Sequence, residues 1–121
     1  MNKKILIIED SQDMRLVYKR MFRKQEKIEL AETETGEEAW ELLPIFRPDL
    51  SIVDISLPGM SGLDFVEKSH EQYPDVKLLV VTGHEVSRYY DDAIRRGADD
   101  LISKNIGKGL VDKCLQMLGS G

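Results

Sequence analysis

The chain has 121 residues, 41% of them hydrophobic, which suits a single domain with one packed core. Charged residues make up 32% and the net charge is −5, so direct binding to nucleic acid is not expected. The one cysteine, Cys114, excludes an internal disulfide and suits a reducing compartment such as the cytoplasm. No apolar run approaches the ~18 residues of a membrane span, so no membrane partner is expected.

Five short apolar runs predict β-strands, and a segment with helical spacing follows each of them. The first and fourth runs are almost continuously apolar, which is typical of strands buried on both faces. The third run ends on the carboxylate of Asp54 and leads into a turn at Pro58 and Gly59. The predicted strands cover residues 4–8, 28–33, 50–53, 76–81 and 99–103.

Helix signals separate these strands. Ser11 and Asp13 are both candidate caps for the first helix, and Ser61 is the candidate cap for the third. Gly97 is expected to end the fourth helix. Pro44 lies within the second helical pattern, so we expect it to kink that helix or to end it early.

Regular alternation of strands and helices predicts a parallel sheet with helices on both faces. The natural arrangement is a doubly wound α/β fold of the flavodoxin-like (βα)5 type, with strand order 2-1-3-4-5. Strands 1 and 3 then lie side by side at the switch point, where ligands bind in such sheets. We expect one domain over residues 1–121, with 117–121 as a tail that is a natural end, the start of a linker or a cloning remnant.

Polar side chains stand at the carboxyl ends of four predicted strands. Glu9 and Asp10 follow the first, Asp54 the third, Thr82 the fourth and Lys104 the fifth. Three carboxylates brought together repel one another unless a cation lies between them, and hard oxygen donors suit Mg²⁺. A carboxylate can itself accept a phosphoryl group, with a lysine and a hydroxyl beside it for the phosphoryl oxygens. The set therefore predicts a magnesium site next to a phosphoryl acceptor.

These residues and the segments around them resemble the CheY-like receiver domain of bacterial two-component response regulators over essentially the whole chain. The matching segments are Ile-Ile-Glu9-Asp10, Val-Asp54-Ile-Ser-Leu-Pro-Gly-Met-Ser-Gly, Val-Thr82-Gly, Gly97-Ala-Asp-Asp100 and Lys104. Each segment alone is a weak signal, whereas together and in this order they are highly specific.

The resemblance implies a role for each matching residue and a set of partners. The implied roles are Asp54 as phosphoacceptor, Asp10 as direct metal ligand, Glu9 as the acid that helps hold Mg²⁺, the Ser56 backbone carbonyl as a further ligand, Thr82 as the switch hydroxyl and Lys104 as the partner of a phosphoryl oxygen. A sensor histidine kinase or a histidine phosphotransfer protein is the implied donor. The implied readout is a downstream effector domain or protein, or a dimer formed on phosphorylation.

Four positions bear on how such a switch would behave. The family usually has an aromatic residue three before the lysine, and here it is Leu101. Proline usually follows the lysine, often in a cis bond, and here it is Asn105. A cis bond before a residue other than proline costs ~2.5–4 kcal/mol, so the loop either holds that strain or runs trans and shifts the lysine. Ser56 and His84 stand where the family tunes the loss of phosphate.

The leading hypothesis is a phosphorylation-dependent signalling switch that acts through the surface formed by helix 4, strand 5 and helix 5. It is not a stand-alone metabolic enzyme, because its own chemistry would be limited to phosphoryl transfer and autodephosphorylation. A Mg²⁺-dependent phosphohydrolase is disfavoured, because Ser56 replaces the second acid such enzymes need and no insertion is long enough for a cap. The remaining alternative is a receiver-like docking module that works without phosphorylation, which Leu101 and Asn105 suggest.

Overall fold

The protein is described here by a computed structural model that covers residues 2–107 and 109–119. Five parallel strands form one sheet in the order β2-β1-β3-β4-β5. The strands are β1 (Lys3–Ile8), β2 (Ile28–Thr33), β3 (Leu50–Asp54), β4 (Lys77–Thr82) and β5 (Asp100–Ser103). The flavodoxin-like order predicted from the alternation is confirmed, and every strand lies within one residue of its predicted bounds.

In the described part of the chain, five α-helices follow the strands in turn, and a short 3-10 helix (Lys104–Ile106) lies between β5 and the last of them. The α-helices are α1 (Gln12–Met21), α2 (Gly36–Phe46), α3 (Gly62–Gln72), α4 (Val86–Arg95) and α5 (Gly109–Met117). Ser11 caps α1 and Ser61 caps α3, because each hydroxyl accepts a hydrogen bond from the backbone N–H three residues later, as an N-cap does. Gly97 follows α4 with a φ of 118°, a conformation that favours glycine.

The sheet separates two hydrophobic cores. Side chains alternate along each strand, so Leu6 and Ile8 of β1 face one core while Ile5 and Ile7 face the other. The first core is covered by α2, α3 and α4, and the second by α1 and α5. Cys114 lies in the second core with no exposed surface. Because both faces are covered, the polar groups that the central strands β1, β3 and β4 leave near solvent lie toward their ends.

One expectation for a helix was wrong in part. Helix α2 does not stop at Pro44 but continues for two residues, to Phe46. Pro44 lies in the last turn and is exposed. Proline cannot donate the backbone hydrogen bond to the carbonyl four residues earlier, but here only two helical residues follow, so a single bond is lost close to the helix end. Arg47 then closes the helix in the left-handed conformation, with a φ of 54° and its N–H bonded to the Leu43 carbonyl.

The predicted tail, residues 117–121, is described as far as Gly119. Leu118 is buried in the second core and its N–H donates to the Cys114 carbonyl, so it belongs to the packed domain. Residues 120–121 lie outside the described part of the chain. Within residues 2–107 and 109–119, no helix is long and apolar enough to cross a membrane.

Candidate functional site

Three carboxylates meet where β1 and β3 end side by side. Ile8 of β1 pairs with Val53 of β3, so the residues that follow them share one edge of the sheet. Glu9, Asp10 and Asp54 each place an oxygen within 4.8 Å of the other two. We call these three side chains the acid cluster. Glu9 and Asp54 are buried, whereas Asp10 is exposed, so the cluster opens to solvent on one side.

Asp54 is held from two directions. Its Oδ1 accepts a hydrogen bond of 3.0 Å from the Ser56 N–H, and its Oδ2 accepts one of 2.9 Å from the Lys104 ammonium. The residue is only 3% exposed, which means that the reachable part of the carboxylate is small and its orientation is fixed. The Asp54 carboxylate therefore has a fixed orientation at the carboxyl end of β3.

Glu9 is held by a backbone amide and by an ion pair. Its Oε2 accepts a hydrogen bond of 3.2 Å from the Ser11 N–H, and its Oε1 lies 2.9 Å from the Lys104 ammonium as an ion pair. Burial raises the pKa of Glu9 from its ordinary 4.5 to about 7, and the nearby charge of Asp54 adds to the rise, although Lys104 opposes it. Removal of Glu9 from solvent is therefore the main reason that its charged form is disfavoured.

Lys104 follows the carboxyl end of β5 and bridges the two buried acids. Burial alone lowers the pKa of its ammonium, but the contacts with Asp54 and Glu9 outweigh that effect and raise it. The peptide bond between Lys104 and Asn105 is trans, so of the two alternatives left open for this loop the trans one is observed. Ser103 stabilises the turn, because its Oγ accepts the Asn105 N–H at 3.1 Å.

Thr82 ends β4, the strand beside β3. It has no exposed surface, and its Oγ1 accepts a hydrogen bond of 2.9 Å from the His84 N–H. Ser56 is exposed and donates its N–H to Asp54, whereas a metal contact of its carbonyl stays a prediction. Leu101 is 2% exposed and packs in the first core with Ala93 and Ala98, so it fills a pocket beneath α4.

Two residues near the site were not singled out from the sequence. Gly62 opens α3 so close to β3 that a Cβ there would stand 2.1 Å from the Asp54 carbonyl oxygen and 2.9 Å from the Ile55 Cα. A glycine at the first helical position after a cap was the only available signal. Arg15 reaches back from α1 and donates from Nη1 to the Glu9 carbonyl oxygen at 2.7 Å. Nothing in the sequence distinguishes it from the other basic residues of α1.

The donor set fits a hard divalent cation. The three carboxylates carry more formal negative charge than the Lys104 ammonium beside them neutralises, which a divalent cation would offset. Carboxylate and carbonyl oxygens are the ligands that Mg²⁺ prefers, and Mg²⁺ sites usually keep several waters, which the exposed side at Asp10 allows. The described residues that would hold the ion are the acid cluster.

Fold and site together define a doubly wound α/β domain with a polar site at its switch point. The model of the response regulator receiver domain family matches residues 5–116, and the chain belongs to this family. Among curated relatives, the chemotaxis protein CheY of Thermotoga maritima is 31% identical, over 86% of this chain and 87% of that protein. The solved receiver domain protein of Methanospirillum hungatei has a TM-score of 0.90 and 26% identity, and the match covers 99% of this chain and 96% of that one.

Several relatives are longer than this chain. The transcriptional regulatory protein DegU of Brevibacillus brevis is 30% identical, over 97% of this chain and 50% of that protein. The chain thus spans about half the length of the first curated relatives that it matches. A cyclic di-GMP phosphodiesterase of Thermotoga maritima is matched over only 28% of its length. What these proteins share with the chain is the receiver part, which belongs to two-component signalling.

Proposed function

We propose that Asp54 accepts a phosphoryl group from a phosphohistidine of a sensor kinase or phosphotransfer protein, with Mg²⁺, and that this changes which partner the domain binds. The proposal rests on the geometry of Asp54, a buried carboxylate that Ser56 and Lys104 orient by hydrogen bonds beside two further acids. The cytoplasm is where we expect it to act, since phosphohistidine is supplied there from ATP.

The transfer step uses groups that the chain supplies. A carboxylate oxygen of Asp54 attacks phosphorus, the phosphorus–nitrogen bond of phosphohistidine breaks, and the imidazole leaves with the electron pair and takes up a proton. The Lys104 ammonium, 2.9 Å from Asp54, is near enough to pair with a phosphoryl oxygen once the carboxylate has become an acyl phosphate. Loss of the group follows when water attacks phosphorus, inorganic phosphate leaves and the carboxylate returns.

Glu9, Asp10 and Asp54 are the residues that we assign to the metal, together with the Ser56 carbonyl. When bound there, Mg²⁺ supplies positive charge that offsets the negative charge of the transferring phosphoryl oxygens. With the ion bound, Glu9 would be kept ionised, because a nearby dication favours the charged carboxylate. Lys104 then remains available for the phosphoryl group.

The output surface that we propose is formed by α4, β5 and α5. A phosphoryl group on Asp54 adds acceptor oxygens near Thr82, whose hydroxyl is a hydrogen-bond donor for them. The Thr82 hydroxyl accepts a hydrogen bond from the His84 N–H, and movement of the hydroxyl would break that bond. A change at Thr82 would therefore also change the loop before α4. Tyr90 and Ile94 of α4 are 40% and 37% exposed and offer apolar contacts for an effector or a second copy.

Acetyl phosphate and Mg²⁺ test the acceptor directly. On a phosphate-affinity gel, the wild-type protein should give a slower band that Asp54→Asn abolishes and that removal of Mg²⁺ weakens. Asp75→Asn is the matched control, because Asp75 is exposed in the loop before β4 and should leave the band unchanged. A wild-type protein without the band, or a band that survives in Asp54→Asn, would overturn the proposal.

A docking module that works without phosphorylation is the second candidate. Leu101 favours it, because this side chain is already buried and carries no ring that could report the movement of Thr82. Backbone amide spectra of α4 and β5 before and after acetyl phosphate separate the two candidates. Shifts in wild type that Asp54→Asn lacks support the switch, whereas a phosphorylated protein with unchanged spectra supports constitutive docking.

A further inference from the structure

Arg15 is tied to the loop that carries two of the three acids. Its Nη1 donates a hydrogen bond of 2.7 Å to the main-chain oxygen of Glu9, and its Nη2 lies 3.3 Å from Glu34 Oε1. The Arg15 side chain is only 15% exposed, whereas that of Glu34 is 64% exposed. The guanidinium therefore lies over the end of β1, and its Nη2 pairs with Glu34, the residue after β2.

The hydrogen bond from Arg15 adds to other contacts that fix Glu9. The Glu9 N–H donates to the Thr33 carbonyl at 3.0 Å, and the Glu9 side chain is fixed by Ser11 and Lys104. The carbonyl of Glu9 belongs to the peptide plane that leads directly to Asp10. Because that plane is rigid, fixing its oxygen also fixes where the Cα of Asp10 stands. Asp10 is exposed, so the backbone rather than packing must set its position.

We infer that Arg15 is a positioning residue, which orients the Glu9–Asp10 peptide so that both carboxylates face a divalent cation. This rests on the metal site of the proposed function and adds to it a residue outside the acid cluster. The two described contacts of the guanidinium are the Glu9 carbonyl and Glu34, neither of which is an oxygen assigned to the metal. Groups that orient metal ligands in this way typically change metal affinity by 10–100-fold when they are mutated.

Charge and positioning predict opposite effects, which makes the inference testable. The arginine charge near the acid cluster repels a cation, so if charge were its only effect, Arg15→Gln would tighten Mg²⁺ binding and Arg15→Lys would leave it unchanged. If Arg15 positions the loop, Arg15→Lys should weaken Mg²⁺ binding although the charge is kept. A lysine cannot make two contacts from one planar group.

The experiment is calorimetric titration of the full chain with MgCl2 alone, without a phosphoryl donor. We expect the dissociation constant for Mg²⁺ to rise about tenfold in Arg15→Lys and to rise also in Arg15→Gln. Lys19→Gln is the matched control, because Lys19 also extends from α1 to an acid, Glu32 of β2, at 3.2 Å. Lys19→Gln should bind Mg²⁺ as the wild type does.

Melting temperatures without metal separate positioning from a general loss of stability. A merely structural Arg15 would lower the melting temperature and leave the dissociation constant of the folded protein unchanged, which would overturn the inference. Unchanged binding in Arg15→Lys with tighter binding in Arg15→Gln would overturn it as well. Failure of the wild type to bind Mg²⁺ at all would instead contradict the metal site of the proposed function.

Discussion

Among residues 2–107 and 109–119, Lys104 is the cation in direct contact with both buried acids of the site. It stands 2.9 Å from an oxygen of Glu9 and 2.9 Å from an oxygen of Asp54, each of which is almost fully buried. A buried carboxylate without a partner is unfavourable, so the lysine stabilises the metal-free protein in addition to the role that we propose for it beside a phosphoryl group. The same residue thus links stability to the chemistry of the site.

Replacement of Lys104 should make that link measurable. We expect Lys104→Met to lower the free energy of unfolding by about 1–3 kcal/mol without metal, because two carboxylates lose their partner. Mg²⁺ should restore part of the loss, since a cation takes over the neutralising role. Urea unfolding with and without MgCl2 measures both effects. Lys27→Met, at an exposed position, is the control, and an equal loss in both variants would contradict this account.

The raised pKa of Glu9 predicts how stability depends on pH without metal. Burial and the charge of Asp54 hold the Glu9 pKa at about 7 in the folded protein, against 4.5 when it is free. Between these values the folded state binds more protons than the unfolded state, so the stability that Glu9 contributes is present below pH 4.5 and is lost as pH rises to about 7.

Glu9→Gln provides the comparison, because glutamine cannot ionise. The stability of the wild type relative to Glu9→Gln should fall from pH 4.5 to about 7 and then level off, as measured by urea unfolding in a chelator. A relative stability that increases over this window would mean that the Glu9 carboxylate is stabilised in the folded protein.

At the scale of elements, α3 begins in direct contact with the end of β3. Gly62 allows this approach, because a Cβ would stand 2.1 Å from the Asp54 carbonyl oxygen. The obstacle is backbone, which cannot move aside without shifting Asp54 itself. The packing of one helix against one strand thus sets the position of the residue proposed to react.

Gly62→Ala should therefore destabilise the protein and slow the phosphorylation of Asp54. We expect a loss of about 1–3 kcal/mol in the free energy of unfolding, as for other overpacked sites. Gly83→Ala is the matched control, because a Cβ there meets nothing within 4 Å. Urea unfolding and the rate of modification by acetyl phosphate measure the two effects. Equal behaviour of the two alanine variants would contradict the role given to this contact.

The elements were predictable where local sequence decides them. The apolar runs of β1, β3 and β4 and the caps Ser11 and Ser61 depend on nearby residues, so their pattern was enough. The inferred strand order was then enough to predict that the acids at the ends of β1 and β3 are neighbours. The extension of α2 past Pro44 and the contact made by Arg15 depend on tertiary packing, which a single sequence does not display.

At the scale of the whole molecule, the two cores lie on opposite faces of a single sheet. Cys114 reports on the core between the sheet and α5, because it has no exposed surface and burial raises the pKa of its thiol to about 12. Both effects suppress its reaction, since the thiolate is the reactive form. The thiol is therefore a probe of opening of the domain.

We expect an aromatic disulfide reagent to modify the native protein only as fast as the domain opens. The rate should increase steeply with urea and follow loss of structure measured by circular dichroism. Cys114→Ala should show no reaction, since the chain has one cysteine. Modification of the native protein as fast as that of a free thiol would contradict the burial of this core.

The central claim is that a phosphoryl group becomes bonded to Asp54, and borohydride trapping tests it most directly. Borohydride reduces an acyl phosphate to an alcohol as phosphate leaves, so a phosphorylated aspartate becomes homoserine, which peptide mass spectrometry locates. After treatment with acetyl phosphate and Mg²⁺, we predict homoserine at position 54 and none in Asp54→Asn. Homoserine at position 10 instead, or at no position in a protein that binds Mg²⁺, would contradict the claim.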